Sequence, residues 1–203
     1  MKRKIKLISS IASLGLTLAI MTIGVVAAAN HSLSVNNTIS FNIGTNIAFD
    51  LTGSVYTPSS DARDTLGNAV ETYTGDVNSV EVSTATINDT WDTNAITMSQ
   101  DNDSVVWVFT VENTGENTIN VSVADAANLV LAGEDITNKD IDKGTGYSVE
   151  VTYENDTTVA NTQNASTGET ITVTIRLQML DYSKTITDAD FDFTLNIKDS
   201  TLA

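Results

Sequence analysis

The chain has no cysteine, one proline (Pro58) and one histidine (His31) in 203 residues. Without cysteine there is no disulfide, no thiol nucleophile, no Cys-ligated zinc and no lipoprotein-type attachment, so a core must hold by packing alone. A Ser-His-Asp triad would take its base from the start of the mature chain, where termini fray. Zinc hydrolysis needs about three protein ligands, histidines usually among them. One histidine and no His-Glu-x-x-His leave a metalloprotease without its inventory. Bases are scarce as well. Four of the ten Lys and Arg fall at Lys2, Arg3, Lys4 and Lys6, and none of the 26 Asp and Glu lies before residue 30. Beyond residue 29, six bases therefore face 26 acids, a net charge of −20. Such a surface repels nucleic acid and anionic lipid and keeps copies apart, so no nucleic-acid partner is expected.

What is present begins with the leader. A basic head precedes a 20-residue apolar run, Leu7 to Val26, that closes in Ala27-Ala28-Ala29. This is the layout of a secretory signal peptide, residues 1–29, with small residues where a signal peptidase cuts. An uncleaved anchor is the alternative, since about 20 apolar residues span a bilayer. Ser9, Ser10, Ser13, Thr17 and Thr22 dilute the run and favour cleavage. A pilin-like leader would want a Gly before the run and an early Glu, and neither is there. The expected product is a secreted protein of the extracellular matrix or cell surface, touching membrane only through the leader if it is kept. The C-terminus, Asp199 to Ala203, carries no sorting signal or hydrophobic tail, so no covalent wall attachment is expected.

Residues 30–203 suit one domain with a sizeable core. Thr (29) and Asn (19) are abundant there; Thr favours strands and Asn favours turns. Alternation with a period of two dominates, the signature of a strand with one wet face. Leu33, Val35, Ile39, Phe41 and Ile43 share one parity, which Ile47, Phe49 and Leu51 continue past Gly44. Similar sets are Val105 to Val111, Ile119 to Val123, Tyr147 to Tyr153, Ile171 to Met179 and Phe191 to Ile197. Asn113-Thr114-Gly115-Glu116-Asn117 reads as a short hairpin between two of them. Lys143-Gly144-Thr145-Gly146 and Ser166-Thr167-Gly168 read as turns that open strands. The stretch Thr57 to Asn68 reads as a loop or a short helix near Arg63 to Leu66. Asp125 to Asp142 reads as irregular with room for a helical turn. Seven to nine short strands predict an all-β fold: a two-sheet antiparallel sandwich, jelly-roll-like, with an immunoglobulin-like topology as the alternative. Trp91 and Trp107 are read as core or sheet-edge anchors.

Acids are the remaining chemistry. Glycosidases use two carboxylates across a cleft, and Asp190 and Asp192 share a face of one predicted strand, where solvation of that face explains them. Asp101-Asn102-Asp103 and the set Asn138, Asp140, Asp142 are the places where a structural calcium ion would sit. The latter has the wrong register for a calcium loop, with Val149 at the twelfth position. No catalytic residue and no cofactor are assigned.

The run Trp107-Val-Phe-Thr-Val-Glu-Asn-Thr-Gly115, followed by Ile119-Asn-Val-Ser-Val123, resembles the strand–Asn-Thr-Gly–strand hairpin of the TasA and camelysin family. The basic-headed leader and the strand just after it resemble that family in layout. The resemblance implies an exported jelly-roll protein that assembles into extracellular fibres of biofilm matrix. Its partners would be copies of itself, joined by donor-strand exchange, and other matrix or surface components. The peptidase that some family names imply has no support in these residues. In this sequence the donor strand would be residues 33–43, carrying Leu33, Val35, Ile39, Phe41 and Ile43, with Gly44 as hinge. A long alternating strand at a free end can add to a sheet edge of another copy, and such a contact, if it does not close, makes a filament. The opposing expectation is that this strand folds back as an edge strand of its own sandwich. The sequence therefore predicts a non-enzymatic structural protein. A monomeric surface adhesin or carbohydrate-binding sandwich is the alternative.

Overall fold

The computed structural model of the protein describes residues 33–57, 66, 68–98, 103–124, 129–131, 134–135, 147–155, 163–179 and 188–201. Residues 1–29, His31, Asp101, Asn102 and residues 136–146 lie outside the described residues, and with them the leader, most of the calcium candidates and one predicted turn.

The described residues form fourteen strands and no helix. They are β1 (Leu33–Ile43), β2 (Ile47–Tyr56), β3 (Ala69–Thr72), β4 (Val80–Val82), β5 (Ile87–Met98), β6 (Ser104–Asn113) and β7 (Ile119–Ala124). There follow β8 (Leu129–Leu131), β9 (Glu134–Asp135), β10 (Tyr147–Asn155), β11 (Asn164–Ala165), β12 (Thr170–Met179), β13 (Asp188–Phe191) and β14 (Phe193–Asp199). Two sheets pack face to face as a β-sandwich. The first runs β11-β7-β14-β1, continues through β13, β8 and β9, and carries β5 against the other side of β1. The second runs β10-β12-β6-β2-β3, with β4 also on β2. The long strands divide evenly: β1, β5, β7 and β14 in the first sheet, β2, β6, β10 and β12 in the second. A jelly roll likewise has eight strands in two sheets. Two pairings depart from the antiparallel rule: β1 lies parallel to β13 and to β14.

The alternating sets become strands, the last of them broken at Asp192 into β13 and β14, and the apolar rows of β2 and β12 face the other sheet. In β2, Ile47, Phe49, Leu51 and Val55 are buried while Asp50 and Thr52 are exposed. In β12, Ile171, Val173, Ile175 and Leu177 are all fully buried. A connected row of rings crosses the interior. Phe41 lies 4.5 Å from Tyr73 and 5.9 Å from Phe109, Phe109 lies 6.0 Å from Phe193, and Phe193 lies 5.7 Å from Trp107. These tilted and edge-on contacts suit the ring quadrupoles, and both tryptophans are core residues as expected.

Three local expectations change. Asn113 to Asn117 is a corner between the sheets and not a hairpin. β6 already has β2 on one edge and β12 on the other, so β7 has no edge to pair with and joins β14 across the sandwich. Asn113 builds the corner. Its buried amide donates to the carbonyls of Asn117 (2.9 Å) and Ala165 (2.8 Å), and its Oδ1 accepts the Gly115 N–H (3.0 Å). A Cβ on Gly115 would come within 2.9 Å of the Ala48 nitrogen, so only glycine lets the corner lie against β2. Secondly, within the stretch read as irregular, Leu129–Leu131 and Glu134–Asp135 are the short strands β8 and β9, and Leu129 to Leu131 extend the sheet on β13; the room left for a helical turn lies outside the described residues. Thirdly, β5 is a strand of twelve residues that no apolar alternation announced.

Candidate functional site

β1 is an interior strand of its own sheet, not an edge. β5 pairs with it from Leu33 to Ile43, while β13 pairs with residues 34–36 and β14 with residues 39–43 on its other side. Leu33 stands opposite Met98. Val35, Ile39 and Ile43 are fully buried and Phe41 is 1% exposed, so the inner row of the candidate donor strand is sealed in the core from Val35 to Ile43. The outer row is polar, with Asn36, Thr38, Ser40 and Asn42 facing out. The Asn42 amide donates to Asn196 Oδ1 (3.1 Å) on β14. β1 thus fills a slot between two strands, with apolar pockets beneath it and hydrogen-bond partners on both sides.

The regular pattern breaks once. The register on β5 shifts between Val35 and Asn37, and on the other flank Asp192 separates β13 from β14 at the same level. Asn37 occupies an inner position and is 4% exposed. Its Oδ1 accepts the Thr93 hydroxyl, and its Nδ2 has no hydrogen-bond partner. The next residue reaches both neighbours: Thr38 N–H donates to Asp192 Oδ1 (2.8 Å), and the Thr38 hydroxyl donates to Asp92 Oδ1 (2.7 Å).

β5 is the outer strand of this pairing, and residues 71–75 of the other sheet's edge lie against it. Glu71 on β3 accepts from Trp91 Nε1 (3.2 Å), from the Asn94 backbone N–H (2.9 Å) and from the Asn94 amide (3.0 Å). The Tyr73 hydroxyl donates to Asp89 Oδ2 (2.5 Å). Burial, with the Asp89 carboxylate adding to it, pushes the Tyr73 hydroxyl well above the ordinary tyrosine value. A Cβ on Gly75 would collide with the Tyr73 hydroxyl at 2.1 Å, so glycine makes room for this contact. Side chains thereby occupy an edge that another strand could otherwise pair with.

Of the acids considered from sequence, Asp190 and Asp192 are exposed on the first sheet. Asp190 pairs in register with Asn36 and Asp192 binds Thr38, so both serve the seating of β1. Among the described residues no group of three or more His, Cys, Asp or Glu could hold a metal ion. Sequence reasoning found the inner row of β1 from Val35 to Ile43, named Asp192 without its contact to Thr38, and missed Asn37, Asp92, Glu71 and Tyr73. The polar Asn37 inside an otherwise apolar parity was the available signal.

No family model matches the chain. No curated protein matches it. Among solved structures, the yeast delta-COP-I mu-homology domain aligns over 84% of this chain and 96% of that one, at 7% identity and a TM-score of 0.18.

Proposed function

We propose that this protein is a secreted, non-enzymatic subunit of extracellular or cell-surface fibres, in which β1 of one copy fills the β1 slot of the next. The observation that supports this most is the combination of place and shape in β1. It lies just beyond the predicted leader, it is eleven residues long, and it is an interior strand whose removal would leave a gap between β5 and β14. The bonds and pockets of that gap are the same whichever copy supplies the strand, so exchange conserves them, as in domain swapping.

The link supports the same reading. Only Gly44, Thr45 and Asn46 join β1 to β2 in the opposite sheet, and Asn46 sits in left-handed backbone at φ 63°. Short hinges under strain favour exchange over folding back. The net charge of −20 beyond residue 29 opposes random aggregation, so association must come from a specific contact and should be faster in salt, which screens the repulsion.

Negative-stain microscopy and size-exclusion of residues 30–203, with and without a synthetic 33–43 peptide, test the reading. Filaments that the peptide caps and shortens are expected. A sharp monomer peak at high concentration, unchanged by salt or seeding, would overturn it and leave a monomeric binding module.

A further inference from the structure

We propose that the polar contacts of Asn37 and Thr38, beside a bulge of β5 at Asn94 and Ala95, are the register key of β1: they allow the strand to seat at one position in its slot and block seating two residues out of step. The inference concerns β1 against β5 as the structure has it, and stands whether or not copies exchange the strand.

An alternating strand faces a particular ambiguity. A slip of one residue would turn the apolar row to solvent and is excluded by burial. A slip of two keeps every apolar side chain inward. Val35, Ile39, Phe41 and Ile43 are alike in kind, so only their differences in volume oppose it. The polar contacts of Asn37 and Thr38 supply what they lack. In register, Asn37 Oδ1 meets the Thr93 hydroxyl, the Thr38 N–H meets Asp192, and the Thr38 hydroxyl meets Asp92. The irregularity of β1 on β5 and the break between β13 and β14 fall at the same level, so the neighbours are shaped to receive it. A two-residue slip would place the Asn37 amide among apolar side chains and leave the Thr38 N–H facing no carboxylate.

The cost is visible in the seated state. Asn37 Nδ2 is buried without a partner, so the residue is poor for stability. A buried polar group retained at a loss of stability is the pattern by which a single asparagine fixes register in packed helices. Here the same logic would act on a strand.

The absence of cysteine makes the test clean. Asn42 stands opposite Asn88, and Thr90 is its diagonal neighbour. Opposed Cα atoms lie within disulfide reach, whereas diagonal ones at about 7–8 Å do not. Asn42→Cys with Asn88→Cys therefore reports the seated register, and Asn42→Cys with Thr90→Cys reports the slipped one. Each pair is oxidised in the parent background and in Asn37→Val/Thr93→Val, and the products are counted by peptide mass mapping. The parent is expected to close only the 42–88 pair. The double valine variant is expected to melt no lower than the parent and to raise the 42–90 product by about tenfold, the factor for stranding one polar group. Asp192→Ala is expected to raise it less, because Asn37 remains. A valine variant that closes only the 42–88 pair, or one that melts well below the parent, would overturn the proposal.

Discussion

Phe41→Ala is the perturbation that most sharply separates the two faces of β1. Phe41 is 1% exposed and its ring lies 4.5 Å from Tyr73 and 5.9 Å from Phe109. Truncating a buried phenylalanine costs about 3–5 kcal/mol through lost transfer energy and the cavity left behind. Both partner rings belong to the facing sheet, Phe109 on β6 and Tyr73 just after β3 with its N–H on the Gly53 carbonyl, so the cavity could close only by bringing the two layers together, which favours the upper half of that range. In a domain of this length each kcal/mol lowers Tm by about 2–4 °C, so the variant should melt roughly 6–20 °C below the parent. Ser40→Ala, one residue away on the outer row, should change stability by about 0.5 kcal/mol or less. Urea unfolding followed by tryptophan fluorescence measures both, since Trp91 and Trp107 are buried. The slope with urea should not change, so that the midpoint carries the difference. A loss below about 1 kcal/mol for Phe41→Ala, or equal losses at 40 and 41, would refute the placement of β1 in the core.

Other consequences follow from single contacts. Asn113→Ala removes three hydrogen bonds at the corner between β6 and β7. Because the amide is buried and ties two segments to the corner, a loss of about 2–3 kcal/mol in chemical denaturation is expected. Glu71→Ala strips the acceptor from Trp91 Nε1 and from the Asn94 N–H on β5. It should cost about 1–3 kcal/mol and speed aggregation read by light scattering, with Glu71→Gln partly restoring both. Tyr73 governs the alkaline side of the stability curve. Its folded value is raised, so its contribution is complete below the unfolded value near 10 and is lost as pH climbs toward the folded one. Above pH 10 the parent should lose up to about 1.4 kcal/mol per pH unit from this group. Tyr73→Phe should lack that part of the slope, and an unchanged slope would place the titration elsewhere.

Much of the sandwich was legible because inner and outer positions alternate so cleanly. β2, β6, β10, β12 and β14 each follow a parity that the residues display. β5 was not legible, for a physical reason. Its inner positions include Asp89 and Thr93, which are satisfied by Tyr73 and Asn37 rather than by apolar neighbours, so its apolar period is interrupted. The corner at Asn113 misled for another reason. A short Asn- and Gly-containing link fits a hairpin equally well, and only the occupancy of both edges of β6 decides. The parallel run of β1 beside β14 joins opposite ends of the chain, and local pattern carries no information about such a contact. The inner row of the candidate strand was readable from sequence, while its polar key was not, since Asp92 and Asp192 are more than fifty residues away along the chain.

The most direct measurement of the account mixes two singly substituted chains, Ser40→Cys and Thr90→Cys, positions that stand opposite each other across β1 and β5. The chains are unfolded together, refolded and oxidised. Disulfide-linked dimers joining residue 40 of one copy to residue 90 of another are predicted, because β1 would lie in a neighbour's slot. Exclusively monomeric products from the mixture, alongside an efficient internal bond in the doubly substituted chain, would contradict exchange and confine β1 to its own sandwich.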